Sequence, residues 1–385
     1  MPSPYYFQIP TQIVYGRDCA SQTGEIGVKL GLKKVLIITD SGVVKSGVLE
    51  KIFAPLHAAG IDYVVFDQVE PNPSLNTVNI AAAKYAHEGC NGVIAIGGGS
   101  PLDAGKAVGA LATNPGTAGD YLGVDKVKIP SAPVIAIPTT SGTAAEITDV
   151  AVLSDPEKKV KAGMRSASIA PRYAILDPLL TIGLPAGPTR DSGLDALTHA
   201  IESYININAW PGSDALALQA IVLVGKYLCR AVHNGKDIEA RDGMLTASLL
   251  AGMAFHNTKL CLVHAITGPL GGAYNLPHGA INAIILPNAM EFMLPGALEK
   301  YANIAVALGE DVRGLSKRKA AEKAIEAVRQ LSADVQLPSG LSYFGVVKEE
   351  ELAGLAKTIS GSFMVSISPR VANVDEILHM MKASM

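Results

Sequence analysis

Short runs of Val and Ile recur through the first half of the chain, at residues 33–40, 63–69, 92–100 and 132–140. The segments between them, 43–59, 77–88 and a third from Leu102, space their apolar residues at the helical period. Continuous apolar runs suit strands buried on both faces, and their alternation with helices predicts a parallel sheet covered on both sides. The opening FQIPTQIVYG adds one or two short strands, DVAVLSDPEKKVKAG reads as a hairpin turning at Asp155 and Pro156, and RYAILDPLL gives a last strand. A Pro/Gly-rich crossing follows, and from residue 191 the pattern turns helical, at 191–206, 212–231, 236–257 and around 259–272. The chain therefore divides near residue 183: an α/β domain with a parallel sheet over 1–183 and an all-helical domain over 184–385.

Polar residues inside the helical half interrupt this pattern at informative places. Asp195 and His199 lie four apart in DSGLDALTHAIESY, where Leu194, Leu197, Ile201 and Ile205 carry the helical period, so both side chains leave one face. Asp191 or Ser192 is the expected N-cap of that helix. His264 ends an apolar run and His278 follows a turn rich in Gly and Pro. Each histidine alone reads equally as a packed core residue. Four ionisable groups in the most apolar half would each need a partner if buried, and one divalent ion held by a carboxylate and three imidazoles satisfies all of them. The donor set suits Fe(II), Zn or Ni, and spacing does not choose among them.

The strand ends of the first half carry a second chemistry, since ligands of such sheets bind at the carboxyl ends of the strands. Gly97, Gly98, Gly99 and Ser100 close one strand and open a helix, a place where free N–H groups and the helix dipole favour a pyrophosphate. The same sequence also suits a plain strand-to-helix turn, and it is not the G-x-G-x-x-G fingerprint. Asp40 is placed either to cap the following helix or to hold a ribose diol, and its charge favours NAD over NADP. Thr139, Thr140, Ser141 and Thr143 form a hydroxyl-rich loop that can bind phosphate or carboxamide, or simply cap a turn leading to Glu146.

Composition narrows the function class. Among 385 residues, 32 Lys and Arg against 35 Asp and Glu give a net charge of -3, with no basic cluster, which argues against nucleic acid as a partner. No uninterrupted apolar run reaches the ~18 residues of a spanning helix, so no membrane partner is expected. The N-terminal stretch lacks a basic-then-apolar signal, and Cys19, Cys90, Cys229 and Cys261 show no paired spacing, as in a reduced, cytoplasmic protein. A charged fraction of 17% is low and hints at an interface in a homo-oligomer.

Taken together, GGGSPLDAGKAVG, PTTSGTAAE, GLDALTHAIESY, LVHA and LPHGAINAIILP resemble the iron-dependent alcohol dehydrogenase family over nearly the whole chain. The resemblance implies an NAD-dependent enzyme that moves a hydride between a primary alcohol or small diol and NAD, the ion polarising the alcohol oxygen. It implies Fe(II), with Zn as the alternative ion, on Asp195, His199, His264 and His278. It implies cofactor contacts at Asp40, Gly98, Gly99, Ser100, Asp103, Thr139, Thr140, Thr143 and Lys161, and a homodimer through the N-terminal strand. Two positions depart from the pattern. Gly268 stands where many members carry a further His, and His256 stands where a small residue is usual. His256 is the expected replacement acid–base group, about 80° round from His264 if one helix carries both. Relatives resembling glycerol dehydrogenase or dehydroquinate synthase share the architecture. The latter chemistry needs basic residues near the ligands, where only Lys259 stands.

Overall fold

The computed structural model describes residues 5–158, 160–346 and 349–385. Contacts divide the chain after Leu184, with residues 5–8 belonging to the second, helical unit.

The first unit is built on β1 (Gln12–Tyr15), β2 (Lys34–Ile38), β3 (Asp62–Phe66), β4 (Gly92–Gly97), β5 (Gly123–Val124), β6 (Val134–Pro138), β7 (Val150–Asp155), β8 (Val160–Arg165) and β9 (Tyr173–Leu176). Six of these form one parallel sheet in the order β1-β9-β6-β4-β2-β3. β7 and β8 form the predicted antiparallel hairpin, which with β5 makes a small second sheet. The helices are α1 (Thr23–Lys29), α2 (Ser41–Ser46), α3 (Glu50–Ala58), α4 (Leu75–His87) and α5 (Gly99–Leu111).

Alternate strand residues feed opposite faces. Leu36, Ile38 and Val93 pack with Val78, Ala81, Ala104 and Val108 of α4 and α5. Val35, Ile37, Ile94 and Ile96 pack with Ile26, Ile52 and Leu56 of α1 and α3. This two-sided burial is why the strands read as unbroken apolar runs. The helix expected over 43–59 is two helices, because Gly47 takes φ +73 and ends α2. From β2 the chain goes out to β3 and then crosses back to β4 on the other side of β2, which makes the carboxyl ends of β2 and β4 the switch point of the sheet.

The second unit contains α6 (Ala186–Ile205), α7 (Pro211–His233), α8 (Ile238–Thr258), α9 (Leu262–Tyr274), α10 (His278–Met293), α11 (Leu298–Ala307), α12 (Lys317–Asp334), α13 (Glu349–Ser360), α14 (Phe363–Ser366) and α15 (Val374–Ala383). α6 begins before the expected start and is capped at Pro185, not at Asp191 or Ser192. Ser192 Oγ instead donates back to Pro188 O at 2.8 Å, and Asp191 accepts from Arg190 Nε at 2.7 Å. Gly187 and Pro188 read as a helix break, but proline is well tolerated in a first turn. α7 is long and apolar enough to cross a membrane by length and composition. Its buried residues Ala217, Ala220, Ile221, Val224, Leu228 and Ala231 nevertheless repeat every three or four positions and join the core of the helical unit.

One break matters for the chemistry. Lys259 takes φ +71 at the end of α8, and α9 leaves at a bend of 100°. His256 and His264 therefore stand on two helices rather than one, which corrects the angular relation expected for a continuous helix.

Candidate metal centre and cofactor turn

α6 presents Asp195 and His199 one turn apart, α9 contributes His264 from its first turn, and α10 contributes His278 as its first residue. One ligand atom from each of the four lies within 4.8 Å of all the others. Asp195 Oδ1 is 3.7 Å from His199 Nε2 and 3.9 Å from Nε2 of both His264 and His278. The rings of His199 and His264 stack at 4.8 Å, and those of His264 and His278 meet edge-on at 5.2 Å.

Three of the four are buried, while the His278 side chain is 38% exposed, so the cluster opens on that side. Burial works to raise the pKa of Asp195. The imidazoles of His199, His278 and His264 and an amide N–H of Asn282 outweigh it and hold the carboxyl below its ordinary range. The start of α10 is pressed against α6 at Gly279, where a Cβ would lie 2.2 Å from Asp191 O and 3.2 Å from Asp195 Cβ. Only glycine permits that approach, and it brings His278 to Asp195.

Four residues around the cluster are not among the candidates the sequence offers. Glu202, with no exposure, accepts from His264 Nδ1 at 2.5 Å and from Val263 N at 2.6 Å. Asn282, equally buried, sets Nδ2 2.7 Å from Asp195 Oδ1, 3.0 Å from His264 Nε2 and 3.1 Å from His278 Nε2. The Thr267 hydroxyl donates to its Oδ1 and so fixes which end of the amide faces the ligands. The Phe255 ring lies 4.5 Å from that of His199. A signal for two of them was present: Glu202 follows His199 by three positions and Asn282 follows His278 by four, the spacings that keep side chains on one helix face. His256 is outside the four-residue cluster, half-buried on the last turn of α8, with its carbonyl accepting from Lys259 Nζ.

In the first unit the sheet order sets the ends of β6, β4 and β2 side by side, and with them Thr139, the glycine turn and Asp40. Thr139 N donates to Gly97 O at 2.9 Å. Gly97 takes φ +147, and a Cβ there would lie 2.6 Å from Pro101 Cγ and 3.3 Å from Asp40 Oδ2. Gly98 is the N-cap of α5, and Gly99 opens it. Cβ atoms on these two would meet the methyl groups of Thr140 at 3.3 Å and Thr143 at 2.9 Å. Asp40 caps α2 through Oδ1, which accepts from Gly42 N and Val43 N at 2.8 and 3.0 Å, so capping and proximity to the turn coexist. The Ser100 hydroxyl accepts from Asn72 N at 3.2 Å.

Asp103 is held within the unit: Oδ1 pairs with Lys106 Nζ at 2.8 Å and Oδ2 accepts from Val152 N at 3.0 Å. Lys106 is wholly buried and also donates to Ala145 O, Thr148 Oγ1 and Val150 O, tying α5 to the chain after the threonine loop. Lys161 stands on β8, and burial lowers its ammonium to about 8.

Glu146 is 1% exposed, and its Oε1 lacks a hydrogen-bond partner among the described residues. Burial pushes its carboxyl up to about 7 from 4.5, offset only in part by its own backbone N–H and by Lys106. A carboxyl raised on folding contributes stability that is complete below pH 4.5 and lost as pH climbs through 7. Glu146→Gln is therefore expected to flatten that fall, with a gain of up to about 3 kcal/mol at pH 8 and none at pH 4. Chemical denaturation at the two pH values checks it, and an equal effect at both contradicts the assignment.

Two family models cover the chain: iron-containing alcohol dehydrogenase matches residues 10–178 and the C-terminal part of the Fe-containing alcohol dehydrogenase family matches 189–385. The NAD-dependent methanol dehydrogenase of Bacillus methanolicus is 41% identical, over 98% of both chains. The 1,3-propanediol dehydrogenase of Klebsiella pneumoniae is 42% identical over 96% of each. Among solved structures, a 1,3-propanediol oxidoreductase superposes with a TM-score of 0.96 at 41% identity, over the whole of both chains.

Proposed function

Since the chain belongs to the iron-containing alcohol dehydrogenase family, we propose that it interconverts a primary alcohol or small diol and the aldehyde, with NAD as the hydride carrier. The observation that carries the reading is the gathering of Asp195, His199, His264 and His278 around one point, with ligand atoms within 4.8 Å of one another. One carboxylate and three imidazoles fit a divalent ion of the first transition row, and Fe(II) is the proposed one, with Zn as the alternative.

A bound ion supplies Lewis-acid polarisation of the alcohol or aldehyde oxygen. The chain's own groups do the rest. Asp195 and the imidazoles orient on a common centre, and the Phe255 ring packs against that of His199. The turn Gly97, Gly98, Gly99 and Ser100, at the start of α5, is the proposed pyrophosphate site, flanked by Thr139, Thr140 and Thr143. Asp40 is assigned to the adenosine ribose, where its charge disfavours a 2′-phosphate. Lys161, its ammonium lowered by burial to about 8, is assigned to the cofactor's negative charge. His256 is the proposed carrier of the alcohol proton.

The same reading includes a homodimer in the cytoplasm. It is supported by β1, an edge strand of the six-stranded sheet with Tyr15 39% exposed, and by four free cysteines. Light scattering of the purified chain tests the dimer.

The enzymatic test is anaerobic. Chelator-stripped protein is reloaded with Fe(II) or Zn(II) and assayed for reduced cofactor with NAD and NADP on methanol, ethanol and 1,3-propanediol, for the wild type and for His256→Ala. Turnover restored by an ion, with NAD preferred, is the expected result. Failure with every ion and every alcohol rejects the reaction, and normal turnover by His256→Ala rejects the role of His256.

A further inference from the structure

Glu202 is the most completely buried acid beside the metal ligands, and its hydrogen bonds have a direction. Val263 N–H can only donate, so the Glu202 oxygen it meets at 2.6 Å must accept. The other oxygen lies 2.5 Å from His264 Nδ1. A carboxylate accepts at both, which puts the imidazole proton on Nδ1 and leaves Nε2 unprotonated, as its 3.0 Å approach to the Asn282 amide NH₂ also requires. Nε2 is the nitrogen that faces Asp195, at 3.9 Å from its Oδ1.

Charge points the same way. Asp195 and Glu202 bring two negative charges into a site where their exposures are 2% and 0%. Three neutral imidazoles add none, so a divalent cation leaves the group neutral, whereas one acid alone would leave a net positive charge in an apolar core.

We propose that Glu202 is a positioning residue that sets the ion affinity of the centre, by holding the His264 proton on Nδ1 and by supplying the second negative charge. The inference rests on the proposed metal centre. It assigns to Glu202 a task that glutamine cannot perform. A glutamine carbonyl can keep the Val263 N–H, but its NH₂ then faces Nδ1 and drives the proton to Nε2, where it blocks the ion. With the amide reversed, its NH₂ opposes the Val263 N–H, donor against donor.

The experiment compares wild type, Glu202→Gln, His264→Ala and the double variant, reading Fe(II) and Zn(II) affinity by anaerobic chelator competition, the melting temperature of the metal-free chains, and NAD affinity. Glu202→Gln is expected to weaken ion binding by about 10–100-fold, with metal-free melting and NAD affinity at wild-type values. In the His264→Ala background the same substitution is expected to cost clearly less, because the route through the imidazole is gone and only the charge remains.

Wild-type ion affinity in Glu202→Gln overturns the proposal, as does an equal loss in both backgrounds, which would mark general damage. A wild-type chain that takes up no ion overturns the metal-centre reading and this role with it. Should Glu202→Gln fail to fold, nitrogen-15 NMR of histidine-labelled wild type decides: His264 protonated on Nδ1 supports the proposal, and protonated on Nε2 overturns it.

Discussion

Replacing His264 with alanine is expected to strip the chain of its divalent ion and to lower NADH formation from a small alcohol by on the order of 10³-fold or more. Loss of an outer-shell partner alone costs about 10–100-fold in metal affinity, and here a ligand is lost outright. The substitution also leaves the Glu202 carboxylate, with no solvent exposure, without its imidazole. Leaving a buried acceptor without its donor costs about 1–3 kcal/mol, and more when it is charged, so the variant is expected to melt lower as well. His278→Ala makes an instructive contrast. That side chain is 38% exposed, water can take its place, and the loss is expected to be smaller. Metal content after dialysis against chelator, measured beside turnover, checks both. Full metal and full turnover in His264→Ala would remove the cluster from the mechanism altogether.

Why the cluster was legible and its surroundings were not follows from the kind of information each carries. Asp195 and His199 announce themselves because a four-residue spacing within a helical apolar pattern is a local fact, and helix geometry converts it into a shared face. The alternation of strands and helices is legible for the same reason, since two-sided burial leaves continuous Val and Ile runs in β4 and β6. Lys106 was illegible. A lysine among alanines and glycines on a helix reads as a solvated position, and only the fold reveals that four oxygens from Asp103, Ala145, Thr148 and Val150 surround it. The division between the stretches at 236–257 and 259–272 was legible, but the 100° bend between them was not, because a non-glycine residue with φ +71 leaves no mark in the hydrophobic pattern, and the bend decides where His256 stands. Glu202 lay in plain view, three residues after His199. Its role depends on a backbone N–H and an imidazole of another helix, which no spacing rule supplies.

Gly97→Ala is expected to weaken NAD binding by on the order of 100-fold and to leave ion affinity unchanged. Gly97 holds φ +147, outside the range of an L side chain, and a Cβ would lie 2.6 Å from the Pro101 ring and 3.3 Å from Asp40 Oδ2. Pro101 belongs to the first turn of α5 and is itself buried, so it cannot turn aside as a flexible side chain would. Backbone strain of about 1–3 kcal/mol and overlap of about 1–3 kcal/mol act on the same few atoms. The relief available is to move the turn, and with it the N–H groups and Asp40 that the cofactor is proposed to meet. Gly98→Ala separates shape from composition. Its φ is -78 and its nearest contact is the Thr140 methyl at 3.3 Å, so its cost is expected to stay within about 1 kcal/mol, or less than tenfold. NAD titrations of the two variants beside the wild type decide the matter. Equal losses would mean that any side chain in the turn blocks the pyrophosphate, whereas wild-type affinity in Gly97→Ala would place the cofactor away from the switch point of the sheet.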